Sequence, residues 1–220
     1  MPTEAPLTLT RLPLFPLQTV LLPGSTLPLR IFEVRYLDMV QRCHRERAPF
    51  GVVCLTQGAE VATAPRPGDT GAPETFQSVG TLAHIEHFEQ AQPGLLHVVC
   101  RGEQRFRVQQ REKLKHGLWV ADVELLPPDL PTVVPEELAS TVISLQRVVD
   151  SLRAQTTGAE HLPVTPPYHW HDAGWVANRW CDLLPVGSEL KQRLMSLDAP
   201  LLRLELVSDV LEKLRLDAGR

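Results

Sequence analysis

The chain has 220 residues, 43% hydrophobic and 22% charged, a globular balance that can bury a sizeable core without disulfides or a metal. Its formal charge of −4 weighs against a general nucleic-acid binder, which is normally basic. The acidity lies in the second part: residues 1–125 hold 13 acids and 13 bases, residues 126–220 hold 13 and 9.

Proline, 20 of 220 residues, is about twice the usual ~5% and predicts turns and interrupted strands. Leu12-Pro13-Leu14-Phe15-Pro16-Leu17 is apolar but proline-punctuated, as in an edge or bulged strand. Pro23-Gly24 supplies a turn, and Leu27 to Ile31 follows as a short strand. From Glu33 to Arg47 the period becomes helical, with Val34, Leu37, Val40 and Tyr36, Met39, Cys43 on apolar spacings. Ala48-Pro49 ends that helix. Phe50 to Leu55 reads as a buried strand, and residues 64–75 as a surface loop. Strands are predicted over Val79–Phe88, Leu95–Arg101, Arg105–Gln110 and Trp119–Leu125, with turns at Gln92-Pro93-Gly94, Gly102-Glu103 and Lys115-His116-Gly117. Close spacing implies antiparallel meanders and a small barrel-like sheet.

After Pro127-Pro128 the pattern turns helical. Pro135-Glu136-Glu137 opens a helix carrying Leu138, Val142, Leu145, Val149 and Leu152. A Pro- and His-rich loop over 156–171 precedes helices at Ala173–Leu184 and Glu189–Leu197. A last helix starts at Asp198-Ala199-Pro200 and carries Leu204, Val207, Val210, Leu211 and Leu214. The organisation expected is α+β: a β-rich domain over 1–126 and a helical subdomain over 127–220. The prolines at the junction would suit a flexible linker. The apolar stripes argue instead that the helices pack on the β part, so that the intact chain should melt in one transition.

Few residues nominate chemistry. Cys43, Cys54, Cys100 and Cys181 include no C-x-x-C and are expected as reduced, mostly buried thiols. His169-Trp170-His171-Asp172 is the most tempting metal candidate, but it shows no third ligand, and Asp172 suits a helix N-cap better. His84-Ile85-Glu86-His87 has an H-x-E triplet without its P-C-x-x-C partner. No phosphate-binding G-x-x-x-x-G-K-[ST] occurs, nor G-x-S-x-G, nor H-E-x-x-H. Arg101, Arg105, Arg107 and Arg111 could meet phosphate, but a half-solvated sheet face is the better explanation of them. No cofactor, metal or nucleotide is therefore expected. No basic leader with an apolar core opens the chain, and no run approaches a membrane span, so a cytoplasmic protein without membrane partners is expected.

Several segments in order resemble one family. These are Leu12 to Leu17, Val20 to Gly24, Leu27 to Glu33, Arg35 to Val40, Phe50 to Val53, Val79 to Ile85 and Gly102 to Val108. Together they resemble the N-terminal substrate-recognition domain of Lon proteases, particularly its small stand-alone bacterial versions. Val34 stands where many relatives have proline. The resemblance implies a PUA-like antiparallel β-barrel with one inserted helix, followed by a C-terminal helical bundle. It also implies recognition of unfolded or specific proteins or peptides, without the ATPase and Ser–Lys peptidase domains that do the catalysis in full-length Lon. The expected function is a non-catalytic binding module, an adaptor in protein quality control; the alternative is an RNA-binding or RNA-linked PUA-like module. Arg30, Phe32, Glu33, Arg35 and Tyr36 are the candidate partner contacts. For Glu33 and Arg35 the competing role is to cap or brace the helix, and for Phe32 and Tyr36 it is the core.

Overall fold

A computed structural model describes residues 7–58, 74–155 and 162–218. The chain divides into two compact units, Met1–Pro128 and Asp129–Arg220. The first unit holds six strands: β1 (Thr8–Leu17), β2 (Thr26–Ile31), β3 (Phe50–Gln57), β4 (Thr75–Gln92), β5 (Leu95–Lys113) and β6 (Trp119–Leu125). They lie in the order β2-β5-β4-β3-β1-β6, and β5 pairs with β6 as well. One helix, α1 (Val34–Glu46), sits between β2 and β3 in the chain. Of the loop expected over 64–75, residues 64–73 lie outside the described residues; Thr75 already belongs to β4.

Not every pairing is antiparallel. β1 and β3 run parallel, with Leu14 opposite Gly51 and Leu17 opposite Cys54. Parallel neighbours need a long crossover, and β2 with α1 supplies it. β1 is also not an outer strand, because it lies between β3 and β6, and it carries a register shift between Leu9 and Leu12. Its prolines fit because each sits where β1 has a single neighbour in register: Pro13 opposite Val120 of β6, Pro16 opposite Val53 of β3. The missing N–H then costs no ladder bond.

Gly102-Glu103 is not a turn. β5 runs through it without a break. The glycine serves close approach instead: a Cβ there would stand 2.3 Å from the Leu22 carbonyl oxygen. Gly102 donates to Ser25 O at 2.8 Å and accepts from Gly24 N at 2.7 Å, so the segment before β2 lies directly on β5.

Tyr36, Met39, Val40 and Cys43 of α1 are buried together with Phe15, Ile31, Phe50 and Leu96. The helix closes at Arg47, whose φ of 51° is left-handed. The 6→1 bond from Ala48 N to Cys43 O, 2.9 Å, secures that close. A second cluster, around Leu14, Val53, Leu82, Phe106 and Val123, fills the other side of the sheet.

In the second unit a 3-10 turn (Glu136–Leu138) leads into α2 (Ala139–Gln155), followed by α3 (Ala173–Leu183), α4 (Ser188–Met195) and α5 (Pro200–Ala218). Within the loop expected at 156–171, residues 156–161 lie outside the described residues. Asp172 caps α3, its Oδ1 accepting from Trp175 N at 2.7 Å. The interior also contains a charge that apolar spacing did not announce. Arg203 of α5 is 1% exposed and directs its donors at Leu194 O, Leu197 O, Asn178 Oδ1 and both oxygens of Asp129.

Candidate functional site

The end of β2 and the start of α1 form a groove of about 340 Å³. Phe15 and Leu17 of β1 line one wall; Pro28, Leu29, Arg30 and Ile31 of β2 line the other, with Phe32, Glu33 and Tyr36 where the chain turns into the helix. Leu27, Leu29 and Ile31 alternate toward the core, as a half-buried strand requires, and this leaves Pro28 and Arg30 exposed. Phe32 is 54% exposed and Val34 72%, so two large apolar side chains stand in water beside the groove. Among the described residues Arg30 has neither a hydrogen bond nor an ion pair.

The other sequence candidates divide between lining and support. Tyr36 lines the groove from within the core, its ring 4.1 Å from that of Phe15. Glu33 lines it too, while its backbone carbonyl caps α1 by accepting from Tyr36 N and Leu37 N, both at 2.9 Å. Arg35 is buried and turned away from it. Its Nε donates to Glu33 Oε2 at 3.1 Å and its Nη1 to Gly117 O at 2.9 Å. Its Nη2 stands 3.6 Å from Glu74 Oε1, and its guanidinium lies 4.5 Å from the centre of the Tyr36 ring. Arg35 thus ties α1 to the β5–β6 turn and to the start of β4. Glu74 also accepts from Lys113 Nζ at 2.7 Å and Trp119 Nε1 at 2.9 Å. Burial pushes the Glu74 carboxyl up, but these hydrogen bonds and the charges of Lys113 and Arg35 outweigh it and hold the pKa below its ordinary value. Reading by helical period missed the wall residues Phe15, Leu17 and Leu29; the alternation of β2 pointed to Leu29, whereas nothing local pointed to β1.

Several of the remaining candidates have structural contacts. His171 O accepts from Val134 N, and His169 meets the Trp175 ring edge-on at 6.1 Å. Among the described residues no group of three His, Cys, Asp or Glu side chains is placed to hold a metal. Glu86 pairs with Arg101. Arg105 is 4% exposed rather than part of a solvated face, and Arg111 lies over Phe76, 4.7 Å from its ring centre. No described helix is long and apolar enough to cross a membrane.

Residues 11–213 match the family described as the ATP-dependent protease La (LON) substrate-binding domain. The chain belongs to that family. It is similar to a crystal structure of a Lon N-terminal domain protein from Xanthomonas campestris, with 32% identity, a TM-score of 0.68, and 91% of this chain and 98% of that one covered. The N-terminal domain of Mycobacterium avium complex Lon protease, at 18% identity and a TM-score of 0.51, shares the fold, covering 90% of this chain and 96% of that one. Among curated proteins, cereblon of Danio rerio is 28% identical over 160 residues, 71% of this chain. The Lon protease of Phenylobacterium zucineum (strain HLK1) is 27% identical over 153 residues, 69% of this chain. The match covers 33% of the length of the first and 17% of the second. The Lon N-terminal, substrate-recognition and proteolysis-related character read from the sequence therefore stands, as does a mixed α+β fold.

Proposed function

We propose that this Lon substrate-binding domain protein is a non-catalytic module that binds unfolded or specific segments of other proteins, an adaptor in cytoplasmic protein quality control. The observation that carries the reading is the groove itself, flanked by exposed Phe32 and Val34 and by Arg30. Large apolar side chains held in water beside a concave apolar surface mark a binding site. In this reading Arg30, Phe32 and Val34 touch the partner, Glu33 and Tyr36 shape the groove, and Arg35 holds the helix that presents them. The β5–β6 contact, which joins the ends of the run β5-β4-β3-β1-β6, fits the closure of a PUA-like barrel. Of the four arginines of β5, Arg101 is paired with Glu86 and Arg105 is buried, which leaves only Arg107 and Arg111 for an RNA phosphate.

The test is fluorescence anisotropy with a reduced, alkylated and labelled unfolded protein. Phe32→Asp should weaken capture about tenfold, as expected for losing one aromatic anchor. Its melting temperature should stay at that of the parent, because the side chain is largely outside the core. The parent protein should leave ATP and casein unhydrolysed. Parent-like affinity of the folded Phe32→Asp variant would remove the groove from the binding surface.

A further inference from the structure

β6 stays in register with β1 only from Thr8 to Leu14, while β3 covers the other side of β1 from Leu14 to Leu17. Among the described residues, Phe15–Leu17 therefore has a paired strand on one side alone. β2 likewise has β5 as its neighbour and no strand beyond it among the described residues. Residues of both these strand segments line the same groove. We propose that an extended peptide segment adds to the outer edge of β2 as a further strand, lying between β2 and the end of β1 with an acidic side chain at Arg30. The proposal rests on the peptide-binding reading above and specifies how the segment is held.

The backbone chemistry supports that occupant. In an antiparallel pair, bonded and non-bonded positions alternate. Gly102 N donates to Ser25 O, and the register continues with Thr26 opposite Arg101. Leu27, Leu29 and Ile31 therefore direct their backbone groups to β5, leaving those of Thr26, Pro28 and Arg30 on the outer edge. Pro28 agrees with this assignment, because a residue without an N–H costs nothing where no ladder bond is made. The edge offers two donors, from Thr26 and Arg30, and three carbonyl acceptors. Such a row is a template for a strand, and the missing Pro28 donor tempers its pairing with another copy of itself. Phe15, Leu17, Leu29 and Ile31 then receive alternate side chains of the guest. Arg30 has no ion pair among the described residues, and the one carboxylate in the lining, Glu33, is held by Arg35 at 3.1 Å. The charge left over at the edge is positive, which favours a carboxylate on the guest.

The probe is a fluorescein-labelled octapeptide alternating valine and serine, with one central glutamate, titrated with the full chain. N-methylation of its backbone should weaken binding about three- to tenfold at every second position, the value of one lost hydrogen bond, and leave the positions between nearly unchanged. Arg30→Glu should weaken the parent peptide about tenfold and prefer the peptide in which lysine replaces the glutamate. A flat N-methyl scan on a peptide whose binding still depends on Phe32 overturns strand addition and leaves the groove as a binding site. No binding of any peptide overturns both readings. Sedimentation showing a dimer that the peptide does not dissociate assigns the edge to a second copy and likewise overturns the proposal.

Discussion

Replacing Arg203 with alanine tests how the helical unit is held together. The guanidinium has five N–H donors, and all five are used. Nε donates to Leu194 O at 3.0 Å, Nη1 to Asn178 Oδ1 at 3.1 Å and to Asp129 Oδ2, and Nη2 to Asp129 Oδ1 at 3.2 Å and to Leu197 O. Leu194 and Leu197 lie at and just beyond the end of α4, where helix carbonyls lack partners of their own. One side chain therefore caps α4, grips α3 through Asn178 and clamps Asp129. Truncation takes a charged donor from three neutral acceptors, of which Leu194 O keeps Leu197 N at 3.2 Å, at about 1–3 kcal/mol for each one left unsatisfied. It also removes the bidentate partner of Asp129, whose side chain is 19% exposed and can recover some hydration. Water entering the cavity would reduce the cost of the neutral acceptors too. The expected loss is about 4 kcal/mol, inside the ~3–5 range for breaking a buried pair from one side. Arg203→Lys should lose about half of that, since an ammonium brings three donors and no planar fork. Urea unfolding followed by tryptophan fluorescence reads this directly, because Trp170, Trp175 and Trp180 lie in the same unit. A loss below about 1 kcal/mol for Arg203→Ala, the scale of a surface pair, would refute the reasoning.

Gly102→Ala should cost about 2 kcal/mol or more, since its Cβ meets a backbone oxygen that cannot swing away; a denaturation midpoint equal to the parent's would contradict the contact. Glu74 has a lowered pKa in the fold, so it contributes stability above its unfolded value near 4.5 and loses it as the pH falls through the lower, folded one. Glu74→Gln should therefore be less stable at neutral pH and show a shallower fall in urea midpoint on acidification; parallel curves would count against it. Burial raises the thiol pKa of Cys100 and Cys181 to about 12. Native protein should thus resist iodoacetamide at both sites at neutral pH, whereas unfolding in urea should expose both; rapid native labelling of either would show that its surroundings open.

Hydrophobic spacing located α1, the buried β3 run and the helices of the second part, because each has a period matched to one buried face. It failed where a residue's role depends on a distant partner. Gly102 resembles turn punctuation until the segment before β2 is laid across it. Arg105 and Arg203 occupy interior positions that no local pattern distinguishes from solvated ones; Arg203 becomes intelligible only when Asp129, 74 positions away, is beside it. The candidate site was legible in outline, because the strand-to-helix transition around Arg30 to Tyr36 is visible as a change of period. Its division of labour was not. That Arg35 is held inside is decided by Glu74 and Gly117, far along the chain. The β1 wall of the groove depends in turn on where β6 stops.

The pairing of β6 with both β1 and β5 also bears on how this unit is made. Arg11 N bonds to Asp122 Oδ1 across 111 positions of sequence, and the whole register of β1 from Thr8 to Leu14 waits for residues 119–124. On a ribosome, β1 emerges well before β6 and keeps one side uncovered until nearly all the rest of this unit has followed, and long-range pairings of this kind close slowly. Throughout that interval a buried, leucine-rich strand is available to any neighbouring nascent chain. The prolines of β1 suit that exposure: they forfeit no bond in the finished sheet, yet they interrupt the row of donors that a stray strand would need.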